Sequence, residues 1–272
     1  MRHVVFAGCS FTSGAGWDLT DPLASATNPA LWVNLCHTQI KFLNQHNLIN
    51  IGASGASNTE IFNNVIEAIG DHGEDIDTIF VQWTSYPRYS FNIGFELWST
   101  SEIIGGLRFS KHDVKLSNGE TWSRSYIDDL IKRLQVLHHP HWDILKIVKY
   151  TNKIKNIAKK FKIKNIFFIN GLCHWDRNYF VKLENVSPES YTPYTKKEIL
   201  NIDNRSDEDI FNLCNIAHTQ YNEAGGIDPL DWINLYDSMN NNKIDTNLDQ
   251  LHPGIKSNQF YFQQVSNFLK SR

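Results

Sequence analysis

Cysteine is scarce in this chain, and its placement excludes more than its number does. The four residues Cys9, Cys36, Cys173 and Cys214 are scattered, with no CxxC pair; that pattern offers neither a disulfide framework nor a zinc-ligand spacing. A reducing compartment is the simplest inference. Long apolar runs are also missing, since no stretch approaches the about 20 apolar residues of a membrane-spanning helix. The segment VVFAGC, residues 4 to 9, ends like a lipoprotein cleavage box, but its apolar run falls short of the roughly 7 to 15 residues of a signal peptide. It reads as a strand, and the protein as soluble, unexported and cytoplasmic, without a membrane partner. Nor is there an excess of one charge: the net charge of -3 comes with mixed signs along most of the chain, so a broad nucleic-acid footprint is not expected. The one basic stretch, KIVKYTNKIKNIAKKFKIK at 146 to 164, carries apolar residues at helical spacing between its lysines and reads as a solvated helix face.

What is present is enough apolar material, 41% of 272 residues, to bury the core of one α/β domain covering residues 1–272. Apolar runs bounded by turn residues occur at 3 to 7, 48 to 52 (LINIG), 78 to 83 (TIFVQW) and 165 to 170 (NIFFIN), and read as buried strands. Helical periodicity marks about 30–45, 57–70, 126–160, 207–222 and 255–270, with Ser57 or Asn58 as N-cap of the second. Alternating strand and helix predicts a mostly parallel sheet covered by helices on both faces, an α/β/α sandwich whose ligands bind beyond the carboxyl ends of the strands. Two stretches, 85–125 and 172–205, are rich in aromatic, Ser, Thr, Asn and Pro residues without a clear period and read as loop insertions between core elements. There is no internal repeat, low-complexity tract or flexible linker.

Three short segments carry candidate chemistry. FAGCSFTSG, residues 6 to 14, sets Ser10 after the first strand among small residues that let the backbone turn. A serine hydroxyl needs a base to act as a nucleophile, and LDQLHPG, residues 248 to 254, supplies His252 with Asp249 three positions before it. In a turn or helical start that spacing puts both side chains on one side, where the carboxylate holds the imidazole Nδ1 proton and leaves Nε2 as base. NIGASGASN, residues 50 to 58, follows the second strand, and the Gly55 N–H can join that of Ser10 at a developing oxyanion. Cys9 is a weaker nucleophile candidate than Ser10, because adjacent residues leaving a strand point in different directions.

Taken together, these three blocks resemble the SGNH, or GDSL-type, hydrolase superfamily over nearly the whole chain. The resemblance implies a three-layer α/β/α sandwich, Ser10 as nucleophile, His252 as base, Asp249 as its orienter, the Gly55 N–H in the oxyanion hole and no cofactor. This sequence departs from the family pattern twice. The family usually has Asp before the serine, where Cys9 stands here. Its third block usually supplies an oxyanion Asn, and the matching stretch FVQWTSYPR, residues 80 to 88, has none; Thr84 falls nearest the expected position and Gln82 is a second donor.

The remaining candidates line a pocket or decorate the surface. Gln82, Trp83, His174 and Trp175 are read as substrate-binding, the last two in LCHWDR at 172 to 177, beyond the fourth strand. Indole faces stack on sugar rings, which favours a carbohydrate ester as substrate, with a lipid esterase, thioesterase, acyltransferase or non-catalytic binding protein as alternatives. HHPHW at 138 to 142 invites a metal reading, but histidines in a loop between helices are more often surface or packing residues, and no metal is expected.

Overall fold

A computed structural model describes residues 2–16, 26–84, 90–93, 96–99, 114–115, 121–123, 125–126, 140–170, 232–235, 244–246 and 252–272. The chain forms two compact units. The first comprises Met1–Ser90, Tyr150–His174 and Asp228–Arg272; the second comprises Phe91–Lys149 and Trp175–Ile227 and takes in most of the two stretches read as insertions.

Five parallel strands build the first unit: β1 (His3–Ala7), β2 (Asn47–Asn50), β3 (Ile76–Trp83), β8 (Asn165–Asn170) and β9 (Trp232–Asn234). Their spatial order is β2-β1-β3-β8-β9, and every pairing is parallel. Four of the five match the runs read from the sequence. β9 has no counterpart among them, because three residues are too few to show a period. The second unit, with Ser90 of the first, holds two strand pairs, β4 (Ser90–Ile93) with β5 (Glu96–Ser99) and β6 (Val114–Lys115) with β7 (Thr121–Trp122).

Helices lie on both faces of the five-stranded sheet, as alternation in the strands requires. Side chains of one strand point alternately to the two faces. On one face Phe6 stacks on Phe80 at 4.6 Å, and Phe80 meets Phe167 at 5.1 Å. This layer packs against Trp32 of α2 (Trp32–Gln39) and Phe268 of α5 (Ile255–Lys270). On the other face Trp83 stacks on Phe168 at 6.2 Å and faces Tyr150 of α4 (Pro140–Lys160), whose ring lies on Phe62 of α3 (Asn58–His72). The result is a three-layer α/β/α sandwich. Strands covered on both sides are mostly apolar, and all eight residues of β3 are buried, with Asp77, Thr78 and Gln82 as its polar members.

α3 shows why such helices start where they do. Ser57 Oγ accepts the Glu60 N–H at 3.2 Å, the first half of a Ser-x-x-Glu cap. Ile61, Val65, Ala68 and Ile69 then bury one stripe, at the spacing of an amphipathic helix. The predicted helix at 30–45 is shorter in the structure, ending at Gln39. That predicted at 207–222 lies outside the described residues, as does the 127–139 part of the one predicted at 126–160. Among the described residues, no helix is long and apolar enough to cross a membrane.

Asp77 ties the amino ends of the strands together. Its carboxylate accepts from Arg2 and Lys164 at 3.2 Å and from the Thr78 hydroxyl at 3.1 Å, with His46 Nε2 at 3.5 Å. Burial pushes the Asp77 carboxyl up, but hydrogen bonds from Lys164, Thr78 and Arg2 outweigh it and hold the group below its ordinary value.

Candidate active site

In the order β2-β1-β3, the chain leaves β1 toward one sheet edge and later returns to its other side. The carboxyl end of β1 therefore sits at a topological switch point, where doubly wound sheets bind ligands. Ser10 stands two residues beyond Gly8 there, as the first residue of the single-turn helix α1 (Ser10–Ser13), which Gly14 ends in the left-handed conformation at φ 82°. The residue is 3% exposed.

Internal hydrogen bonds fix this turn. The Thr12 hydroxyl donates to Gln82 Oε1 at 2.6 Å, and Gln82 Nε2 donates to Cys9 Sγ at 3.4 Å. Gly8 lies where these groups cross: a Cβ there would meet Thr12 Oγ1 and come within 2.9 Å of Gln82 Oε1. This corrects the reading of Gln82 as substrate-binding or as an oxyanion donor. It is fully buried, and both ends of its amide are used by the turn itself. Trp83, also read as substrate-binding, is fully buried, with its indole stacked on Phe168. Cys9 directs its sulfur to Gln82, inside the protein.

The loop after β2 is fastened to the same turn. Asn50 Nδ2 donates to the Thr12 carbonyl at 2.9 Å, Ala53 N–H donates to the Gly8 carbonyl at 3.0 Å, and a Cβ on Gly52 would lie 2.6 Å from Ser13 N. Gly55 takes φ 79°, a left-handed turn that glycine adopts freely. Three residues on, Asn58 grips the end of β3: its Nδ2 donates to the Thr84 carbonyl at 3.0 Å, and its Oδ1 accepts the Thr84 N–H at 2.8 Å. Thr84, read from the sequence as an oxyanion candidate, is fully buried.

His252 arrives from the other end of the sequence. Its ring meets Phe11 edge-on with centroids 5.8 Å apart, next to Ser10 in the chain. A second connection runs through the protein interior: Trp32 Nε1 donates to the Phe11 carbonyl at 3.0 Å, Trp32 N–H donates to Asn258 Oδ1 at 3.0 Å, and Asn258 Nδ2 donates to the carbonyls of Pro253 at 3.1 Å and Gly254 at 2.9 Å. Asp245 holds the far side of the loop. Its carboxylate accepts the N–H groups of Lys256 and Ser257 at 3.0 and 2.8 Å, capping α5, and leaves no room for a side chain at Gly254. Burial raises its carboxyl, but these backbone donors outweigh burial and lower it below the ordinary value.

Ser10, Gly55, Thr84 and His252 thus all sit on loops that leave this end of the sheet or on segments bonded to them. Asp249, His174 and Trp175 lie outside the described residues, as do His138 and His139 of the histidine run. Among the described residues there is no group of three or more His, Cys, Asp or Glu side chains able to hold a metal. Sequence reasoning missed Asn50, Trp32 and Asn258 and considered Asn58 only as a helix cap. Asn50 and Trp32 offered one signal, a polar or large side chain inside an otherwise apolar stretch, while Asn58 and Asn258 stand in polar surroundings.

The fold and this site define a doubly wound α/β protein with a serine at the switch point and a histidine loop docked beside it. No family model matches the chain, and no curated protein matches its sequence. Solved structures similar to it include a lipase/acylhydrolase from Enterococcus faecalis, 12% identical with a TM-score of 0.44, covering 100% of this chain and 97% of that one. A member of the lipolytic protein G-D-S-L family from Veillonella parvula is 12% identical with a TM-score of 0.41, covering 98% and 97%. An acetyl xylan esterase from Geobacillus stearothermophilus is 11% identical with a TM-score of 0.44, covering 98% and 94%.

Proposed function

We propose that the chain is a serine hydrolase that cleaves a carboxylic ester through an acyl-enzyme. Ser10 Oγ adds to the ester carbonyl carbon while His252 takes its proton. The N–H groups of Ser10 and Gly55 and the hydroxyl of Thr84 meet the developing oxyanion, and Asp249 orients the imidazole and balances its charge. Collapse of the adduct breaks the bond to the alcohol oxygen, which leaves with the proton from His252. Water then adds to the acyl-enzyme, giving a proton to His252, and the acid departs as Ser10 recovers its own. The substrate class is an O-acetyl or other small acyl ester on a carbohydrate.

The observation that supports this reading is the docking of the His252 loop against the Ser10 turn, through the Phe11 contact and the Trp32–Asn258 hydrogen bonds. Residues at opposite ends of the sequence meet at the one place in a doubly wound sheet where a ligand is expected. The test is intact-mass detection of labelling by a fluorophosphonate probe. Wild type should gain one adduct that Ser10→Ala and His252→Ala both abolish. A folded wild type that stays unlabelled at high probe concentration would replace the hydrolase by a binding protein of the same fold. A panel of acetyl, longer acyl and thioester substrates, with and without an added alcohol acceptor, then separates the carbohydrate esterase from a lipid esterase, thioesterase or acyltransferase.

A further inference from the structure

We propose that Asn58 is a positioning residue for the oxyanion site, setting the strand end that carries Thr84 against the loop that carries Gly55. This inference rests on the serine-hydrolase reading. β1 pairs with β3 only as far as Ala7 opposite Val81, so residues 82 to 84 run past the end of their neighbour on that side. At Thr84 the Asn58 amide takes the neighbour's place. It offers one donor and one acceptor to the C=O and N–H of a single residue, at 3.0 and 2.8 Å, as an adjoining strand would.

Asn58 is 5% exposed, and Ala56 and Ser57 between it and Gly55 are fully buried, so the grip passes to the glycine through a short enclosed segment. The helix does not need Asn58 to begin, because Ser57 caps it separately. What Asn58 adds is the relative placement of two loops, one following β2 and the other following β3. Oxyanion donors act within a narrow range, about 2.7–3.1 Å from the charge they meet, and a misplacement of about 1 Å costs on the order of 100-fold in rate.

The experiment compares wild type, Asn58→Ala and Asn58→Asp by kcat and KM on an activated acetyl ester, fluorophosphonate labelling rate and thermal unfolding. Asp77→Asn, at the opposite end of the sheet, serves as a stability control. Asn58→Ala should lower kcat and the labelling rate together by about 10- to 100-fold, with KM changed far less, while the control lowers the melting temperature and leaves kcat alone. Asn58→Asp carries a further signature. Protonated, its carboxyl has the same donor and acceptor as the amide; ionised, it sets an oxygen against the Thr84 carbonyl. Its kcat relative to wild type should therefore rise as pH falls, and this variant decides the matter if Asn58→Ala does not fold.

A labelled wild type with a folded Asn58→Ala of unchanged kcat overturns the positioning role and leaves the serine reading standing. So does an Asn58→Asp whose ratio to wild type stays flat with pH. A wild type that is not labelled overturns the serine reading itself, and this inference with it.

Discussion

At the amino end of the sheet, side chains bind side chains: Asp77 gathers Arg2, Lys164, His46 and Thr78 around one carboxylate. At the carboxyl end, apart from the Thr12–Gln82–Cys9 group, side chains bind backbone. Asn50 holds the Thr12 carbonyl, Asn58 both polar atoms of the Thr84 main chain, Asn258 the Pro253 and Gly254 carbonyls, and Asp245 two helix N–H groups. The difference follows from what each end must place. Joining strand ends requires only that the elements stay together, and ion pairs with partly exposed partners do so loosely. A site that uses backbone N–H donors requires a fixed chain path, and a side chain bonded directly to the main chain fixes it with only one flexible partner.

The largest expected effect lies between the two ends. Phe80→Ala empties the centre of the aromatic layer and should cost about 3–5 kcal/mol in chemical denaturation, loosening both ends equally. Gly8→Ala attacks the carboxyl end alone. Its methyl group collides with the Thr12–Gln82 pair, so a loss of about 1–3 kcal/mol should appear together with a loss of probe labelling at Ser10. Unchanged labelling in that variant would break the comparison.

Asp77→Asn tests the amino end and should cost about 1–2 kcal/mol near neutral pH, leaving labelling intact. Because the folded-state pKa of Asp77 is depressed, its charge stabilises the fold above the ordinary carboxylate value of about 3.9. That stabilisation is lost as pH falls through the folded value. The gap between wild type and Asp77→Asn should narrow accordingly in denaturation curves taken from about pH 5 downward. Asp245→Ala removes a cap, for about 0.5–2 kcal/mol, and unlike Asp77→Asn it should also slow labelling, since the His252 loop leans on that cap. The smallest effect has the opposite sign. Gly70, late in α3, has open space where an added methyl group would stand, and Gly70→Ala should stabilise by about 0.4–1 kcal/mol with no change at either end.

Much of the framework was legible because buried strands advertise themselves. NIFFIN is all of β8 and TIFVQW most of β3, with apolar residues on both faces, and Ser57, one of the two cap residues read from the sequence, caps α3. The long-range fasteners were not legible. Asn258 meets Trp32 across 226 residues, and no local spacing encodes such a meeting. Gln82 misled for a related reason. A polar residue near a strand end looks like one facing a ligand until the Thr12 hydroxyl is found beside it. Ser10, Gly55 and His252 were candidates because of their local turn chemistry, whereas the grip that Asn58 applies to Thr84 joins segments that only the folded sheet brings together.

The packing of Cys9 against Gln82 also means that a change at one of these positions is felt at the other. An aspartate at position 9 would bury a carboxylate beside an amide whose oxygen lies 3.8 Å from the present sulfur. The amide nitrogen of Gln82, which now donates to that sulfur at 3.4 Å, is the donor such a carboxylate would meet. Positions 9, 12 and 82 form one bonded group, and a double-mutant cycle on Cys9 and Gln82 measures how strongly two of its members are coupled.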